Sequence, residues 1–338
     1  MVTKRNGRGK EPFDLEKVHK VLEWATDEIS GVSISEIELR SNIQLYDGIK
    51  AYDIHELLIK SSAELISEAT PNYQYLAARL INYKLRKEVY GQFEPWLFSH
   101  IVEKNIERGV YDSDFLNKFN DEDLLKLESF INHSRDNDFT YVGMEQFRSK
   151  YLVQDRNTKK CYETPQVLYM MIAATLFADY GKDRMKWIKD YYDAISQFYI
   201  SLPTPIMAGL RTETRQFSSC VLVEAGDSLD SINSTSTSIV RYISKKAGIG
   251  IGAGSIRAIG SRIRDGGIVH TGLIPFLKYF QAAVKSCSQG GVRGGAATVY
   301  FPLWHLEFEN LIVLKNNKGT EETRVRQMDY GFQLNKLM

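Results

Sequence analysis

The sequence has little cysteine, proline or histidine: 3, 8 and 6 of its 338 residues. The cysteines at 161, 220 and 287 are odd in number and widely spaced, which argues against a disulfide framework and for a reducing cytoplasm. No CxxC occurs and His and Cys are scattered, so no metal site is expected on this chain. Net charge is nearly absent as well. The 43 Lys and Arg against 42 Asp and Glu give +1, so no global field draws the chain to DNA, RNA or anionic lipid. No run approaches the roughly 18 apolar residues of a membrane span. The charged start MVTKRNGRGKEP lacks the apolar core of a secretory signal. The phosphate loop GxxxxGKS/T is missing too.

What is present is ordinary globular composition, long enough for two or three domains. Short strand-like pieces flank a glycine turn in residues 1–13. Helices follow in DLEKVHKVLEWA, where Val18, Leu22 and Ala25 recur at helical spacing, and in SISEIELRSNIQLY, where Ser33 caps and Glu36 stands three residues on. IHELLIKSSAELI gives a third. Thr70-Pro71 reads as an N-cap and first-turn proline for the long helix through YQYLAARLINYKLRKEVY. Residues 1–92 therefore form one helical module with a small basic hairpin. Residues 93–200 read as a second, helical domain rich in aromatics. Near 151–163, KYLVQ and KCYET flank the polar turn DRNTK as a hairpin.

The texture changes in residues 201–338. SLPTPIM reads as an apolar loop, and SSCVLVEA as a strand buried on both faces. Helices are expected at about 229–246 and 274–285, and another buried strand in ATVYFPLW. This alternation predicts a mixed, helix-rich α/β fold with parallel strands, three or four of them, too few to close a barrel. MDYGFQLNKLM stays apolar to the last residue. Either a terminal helix docks on its own domain, or the fold continues in another polypeptide.

Three groups of residues have chemical potential. Lys4, Arg5, Arg8 and Lys10, with Lys17, His55 and Lys87 on later helices, are either a triphosphate seat or a solvated charged face. The glycine passage at 248–267 fits no GxGxxG register. Its glycines either bring backbone amides to phosphates, helped by Arg257, Arg262 and Arg264, or permit close strand packing. Cys220 opens an apolar strand beside Ser218 and Ser219, with Thr204 on a nearby loop. It is either an inert core thiol or part of a polar pocket at a strand end. Cys161 reads as structural.

VTKRNG, DIHELLIK, YQYLAARL, SLPTPIM, RQFSSCVL, GDSLDSI and SCSQGGVRGGAAT stand together in an order that resembles the N-terminal half of the large, catalytic subunit of class I ribonucleotide reductases. The resemblance implies an ATP cone over 1–92, a helical domain, and from 201 the first part of a ten-stranded α/β barrel. It implies reduction of ribonucleoside diphosphates by thiyl-radical chemistry, with Cys220 as one of the two reducing thiols. Thiols suit that role because each gives a proton and an electron and the disulfide is reset by exchange, here by thioredoxin or glutaredoxin.

Position by position, Thr204, Ser219, Cys220, Gly248 and Arg293 match substrate-binding residues. Asp227, Ser228, Leu229, Arg257, Ile263, Arg264, Cys287 and Ser288 match the specificity site for a deoxynucleoside triphosphate. Lys4, Arg5, Glu11, Lys17, His55 and Lys87 match the activity site for ATP or dATP, taken with Mg2+. The resemblance further implies a homodimer through the helices around 230–245 and 274–285, and a small subunit carrying a diiron-tyrosyl radical. It also implies a second chain supplying the radical cysteine, without which this one is inactive. Arg293, flanked by glycine pairs, would then carry the effector's signal to the substrate. Three departures stand out: KRNGRGKEP is one residue longer than the family's turn, Ala51 replaces a hydroxyl residue, and Gly252 replaces a bulkier polar one. A nucleotide-sensing regulator without catalysis is the alternative, but such ATP-cone regulators carry a cysteine-rich zinc ribbon that is missing here. A structural protein that binds ATP without any partner chain is the third class.

Overall fold

A computed structural model describes residues 1–3, 9–42, 44–245, 247–264, 266–289, 293–336 and 338, with backbone only for 288, 289 and 293. The chain packs as two units. Met1–Leu202 with Ile206–Arg215 form the first, and Pro203–Pro205 with Gln216–Met338 the second.

In the first unit, β1 (Val2–Thr3) pairs antiparallel with β2 (Lys10–Glu11). Then come α1 (Leu15–Thr26), α2 (Ile34–Asn42), α3 (Ala51–Ala63) and α4 (Tyr73–Tyr90). The Asp14 carboxylate caps α1 by accepting from Glu16 N at 3.0 Å, and Leu22 and Ala25 point inward. Ser33 Oγ accepts from Glu36 N, as the sequence predicts. Thr70 does not cap α4. The helix begins at Tyr73 after Asn72, and Thr70 Oγ1 instead donates to Leu65 O, closing the preceding turn. Gly91, at φ 73°, ends α4 in the left-handed conformation that glycine tolerates best.

The unit continues with α5 (Phe98–Glu107), α6 (Phe115–Lys118), α7 (Asp121–Phe130), α8 (Tyr141–Gln146), α9 (Pro165–Phe177) and α10 (Arg184–Ser196). Pro165 starts α9, and residues 165–174 are all buried, so α9 is the axis of this part. The expected hairpin near 151–163 is reduced to one bridge, Gln154 to Cys161. The start of its first arm, Lys150 and Tyr151, is taken by a π-helical turn, Phe147–Tyr151, which satisfies backbone groups that a strand would have left for a partner. SLPTPIM is likewise not all loop: α11 covers Thr204–Gly209.

The second unit alternates strand and helix: β3 (Cys220–Glu224), α12 (Leu229–Ser244), β4 (Gly248–Gly252), the hairpin of β5 (Arg262–Ile263) and β6 (Ile268–Val269), and α13 (Ile274–Ser286). After these come β7 (Ser288–Gln289), β8 (Arg293–Gly294), β9 (Ala297–Pro302), α14 (Phe308–Leu311) and β10 (Asp329–Gln333). The main sheet runs β10-β9-β4-β3, parallel throughout, as helical crossovers require. Along β4 the period of two puts Ile249 and Ile251 into a core with Ile239, Ile243, Phe280, Val284, Val299 and Phe301. Burying a side chain such as Phe280 or Phe301 contributes about 1.5–3 kcal/mol.

Two expectations need correction. β3 is not buried on both faces. It lies at the end of the sheet, with Cys220, Leu222 and Glu224 exposed, Leu222 at 82%. An apolar run reads the same whether its second face is covered or waiting to be covered. The terminal segment is not a docked helix either: Asp329–Gln333 is a strand in register with β9.

Candidate nucleotide and redox sites

Within the first unit, β2, α1, α3 and α4 enclose a cavity of about 390 Å³, a volume within the range of small-molecule sites. Val2, Val18, Val21, Ile54 and Leu58 give it an apolar wall, and Glu11, Asp14, Lys17 and His55 give it polar atoms. The His55 ring stacks on Tyr83 at 5.3 Å between centroids, and Lys87 Nζ stands 5.4 Å from that same ring. Lys17 pairs with Glu11 at 3.7 Å. Four predicted residues thus come together: Glu11, Lys17 and His55 in the lining and Lys87 against Tyr83. Lys4 and Arg5 lie outside the described residues. Ala51, the position noted above as a departure, is in the wall of this cavity. Sequence reading missed Tyr83, which looks like any helical aromatic until α4 turns it toward α3.

In the second unit, β3 and β4 pair so that Cys220 faces Gly248, Leu222 faces Gly250 and Glu224 faces Gly252. The strand glycines serve close packing. A Cβ on Gly250 would come within 2.5 Å of Leu222 Cδ2, and one on Gly252 would collide with the Glu224 carboxylate. Gly248 is looser, its Cβ position 3.7 Å from Cys220 Sγ. Cys220 is therefore a free, exposed thiol on a glycine-cleared face. Ser219 is half-buried, and its carbonyl accepts from Gly248 N. Thr204 begins α11 and is half-buried. Cys161 is the opposite case. Burial, then the charges of Glu88 and Glu163, push its thiol up to about 12. All three cysteines are free, and no group of three or more His, Cys, Asp or Glu among the described residues could hold a metal.

At the start of α12, Ser228 Oγ accepts from Ser231 N as an N-cap. Next to it, the Asp227 carboxylate takes both Arg257 N at 3.0 Å and Arg257 Nε at 2.6 Å. Arg257 Nη1 reaches on to Arg262 O, at the root of the hairpin that carries Ile263 and Arg264. Arg264, at φ 52°, sits in the turn and is exposed, as is Leu229. The structure so joins Asp227, Ser228 and Arg257 and hangs Ile263 and Arg264 from them. Cys287 lies at the far end of α13 as its C-cap. Ser288 and Arg293 belong to the small antiparallel pair β7 and β8, described by backbone alone. Sequence reading gave no signal for Glu307, which accepts from Ile259 N and Leu273 N, or for His305, which bonds Ile256 O.

Comparison with known proteins fits this layout. Residues 1–88 match the family described as ATP cone domain, 137–215 the ribonucleotide reductase all-alpha domain, and 218–338 the ribonucleotide reductase barrel domain. These define a class: a cone joined in sequence to an all-α domain and a barrel sheet. The chain is 58% identical over 340 residues to ribonucleoside-diphosphate reductase 1 subunit alpha of Escherichia coli K12, covering all of this chain and 44% of that protein. The Salmonella typhimurium counterpart is 58% identical with the same coverage, and the phage T4 subunit alpha 56% identical over 96% of this chain and 43% of its own length. The chain belongs to the ribonucleotide reductase large-subunit family, and it spans less than half the length of these relatives.

Proposed function

We propose that the chain is the N-terminal, nucleotide-responsive part of a ribonucleoside-diphosphate reductase, acting in the cytoplasm to make deoxyribonucleotides for DNA synthesis. The observation that carries this reading is the free, exposed Cys220 on a glycine-cleared strand face, in a chain whose whole length aligns with subunits of that name. On this reading Cys220 is one of two thiols that reduce the ribose, and becomes half of a disulfide that thioredoxin or glutaredoxin resets. Thr204, Ser219, Gly248 and Arg293 hold the substrate. The cone cavity takes ATP or dATP with its Mg2+: the adenine against Val18, Val21 and Ile54, the phosphates toward Lys17. Lys4 and Arg5, which lie outside the described residues, are further contacts of that site on the same reading, with Glu11, His55 and Lys87. A deoxynucleoside triphosphate binds at Asp227, Ser228, Leu229, Arg257, Ile263, Arg264, Cys287 and Ser288, where α12 and α13 meet their copies in a second large subunit.

The domain division at 92 and 200 follows the same reading. So does the need for a second chain, which would cover the exposed face of Cys220, Leu222 and Glu224 and supply the radical cysteine. A separate small subunit supplies the radical from its diiron-tyrosyl centre.

The test combines the chain with a polypeptide carrying the C-terminal part of a large subunit, the small subunit and thioredoxin, and follows CDP reduction. Turnover is expected only in the complete mixture and is lost in C220S. Unchanged turnover in C220S overturns the catalytic role. A chain that stays monodisperse and ignores the added C-terminal part overturns the two-chain assembly.

A further inference from the structure

We propose that Glu307 is a positioning residue for the effector hairpin, residues 257–272, clasping both of its stems with one carboxylate oxygen. The inference rests on the reading of Arg257, Ile263 and Arg264 as effector contacts. Glu307 lies in the segment after β9 and is only 5% exposed. Its Oε2 accepts from Ile259 N at 3.0 Å and from Leu273 N at 2.9 Å. These amides enter and leave the hairpin. Between them the hairpin closes on itself, Gly260 N donating to His270 O and His270 N to Ser261 O, with β5 paired to β6.

The clasp has its own supports. His305 Nδ1 accepts from Glu307 N at 3.2 Å, so its Nε2 carries the proton and donates to Ile256 O at 2.8 Å. One imidazole thus orients the glutamate and pins the chain just before the hairpin. Gly272, at φ 93°, allows the approach, since a Cβ there would lie 2.7 Å from Glu307 Oε1. Leu273 N stands at the N-terminus of α13, where unpaired amides favour a negative charge. On its outer side the hairpin is held by the Arg257–Asp227 pair.

The consequence concerns binding. A loose hairpin must be ordered when the effector arrives, and that ordering weakens affinity; a clasped one is ordered in advance. β9 also begins just after the Arg293 segment, so the clasp ties the hairpin to the strand leaving the proposed signalling loop.

The experiment uses the full chain with dTTP as probe, measuring hydrogen exchange and calorimetric binding. E307A leaves one buried and one partly buried amide without an acceptor, so exchange across 260–270 should quicken and dTTP affinity fall by about tenfold or more. E307Q keeps an acceptor oxygen and should stay within about threefold of wild type on both. Protection of α12 and β4 is expected to be unchanged in both variants. Unaltered exchange and affinity in E307A overturn the clasp, as does equal loss in E307Q and E307A. Loss of protection throughout α12 and β4 overturns it too, because the residue is then merely structural. A wild-type chain that binds no dTTP overturns the effector-site reading instead, and the exchange data still decide whether the clasp holds the hairpin.

Discussion

Asp136 and His133 titrate in opposite senses within one buried cluster. Burial pushes the Asp136 carboxyl up to about 7, and burial with the nearby Arg86 charge pushes His133 down to about 4. Asp136 therefore contributes stability that is full below its ordinary value and lost as pH rises toward 7. His133 contributes stability that is full above 6.5 and lost as pH falls toward 4. Between about 4 and 6.5 the two slopes oppose each other. In D136N only the histidine's remains, so urea stability of the first unit should climb with pH across that window more steeply than in wild type. Equal slopes would show that Asp136 is not protonated by the fold.

A second buried group is purely structural. Glu163 accepts from Arg211 Nε at 2.8 Å, from Tyr111 Oη and from Val153 N, with both charged side chains fully buried. R211A strands a buried carboxylate and should cost about 3–5 kcal/mol in urea unfolding. Replacing both partners by methionine should cost less than R211A alone, because no charge is left unpaired. Neither cluster was legible in the sequence, where their members are scattered over scores of residues.

At the scale of elements, Gly294 and Gly295 of SCSQGGVRGGAAT divide by role. Gly294 has open space at its Cβ position, whereas at Gly295 a Cβ would lie 2.0 Å from Val284 O, a backbone atom at the end of α13. G295A must push α13 away and should destabilise the second unit by about 1–3 kcal/mol, while G294A should change little. Thermal unfolding of the two variants checks this, and equal melting temperatures would remove the distinction. Elements with strong local signals were legible: α12 and α13 fall close to the expected 229–246 and 274–285. The π-helical turn at Phe147–Tyr151 was not, because its bonds depend on what packs around α8 and α9.

For the whole molecule, each unit has a hydrophobic core of its own. If the cone cavity takes ATP as proposed, ATP at a hundredfold over its dissociation constant should stabilise the first unit by about 2.7 kcal/mol, and dTTP at its proposed site should do the same for the second. Calorimetric scans of the full chain with each nucleotide would show it. Scans that neither nucleotide shifts would overturn the proposed nucleotide sites.

By itself, the sequence determined the α/β alternation and the cone-like helical start, because periodicity and caps are local properties. It also determined that no helix among the described residues is long and apolar enough to cross a membrane. Only the tertiary structure decided that Cys220 is exposed, that the glycines of β4 make room for Leu222 and Glu224, and that Glu307 reaches back to Ile259 and Leu273. These depend on which strand lies beside which and which face is covered. A carboxylate's partners are set by the path of the chain through space, and no local pattern records that path.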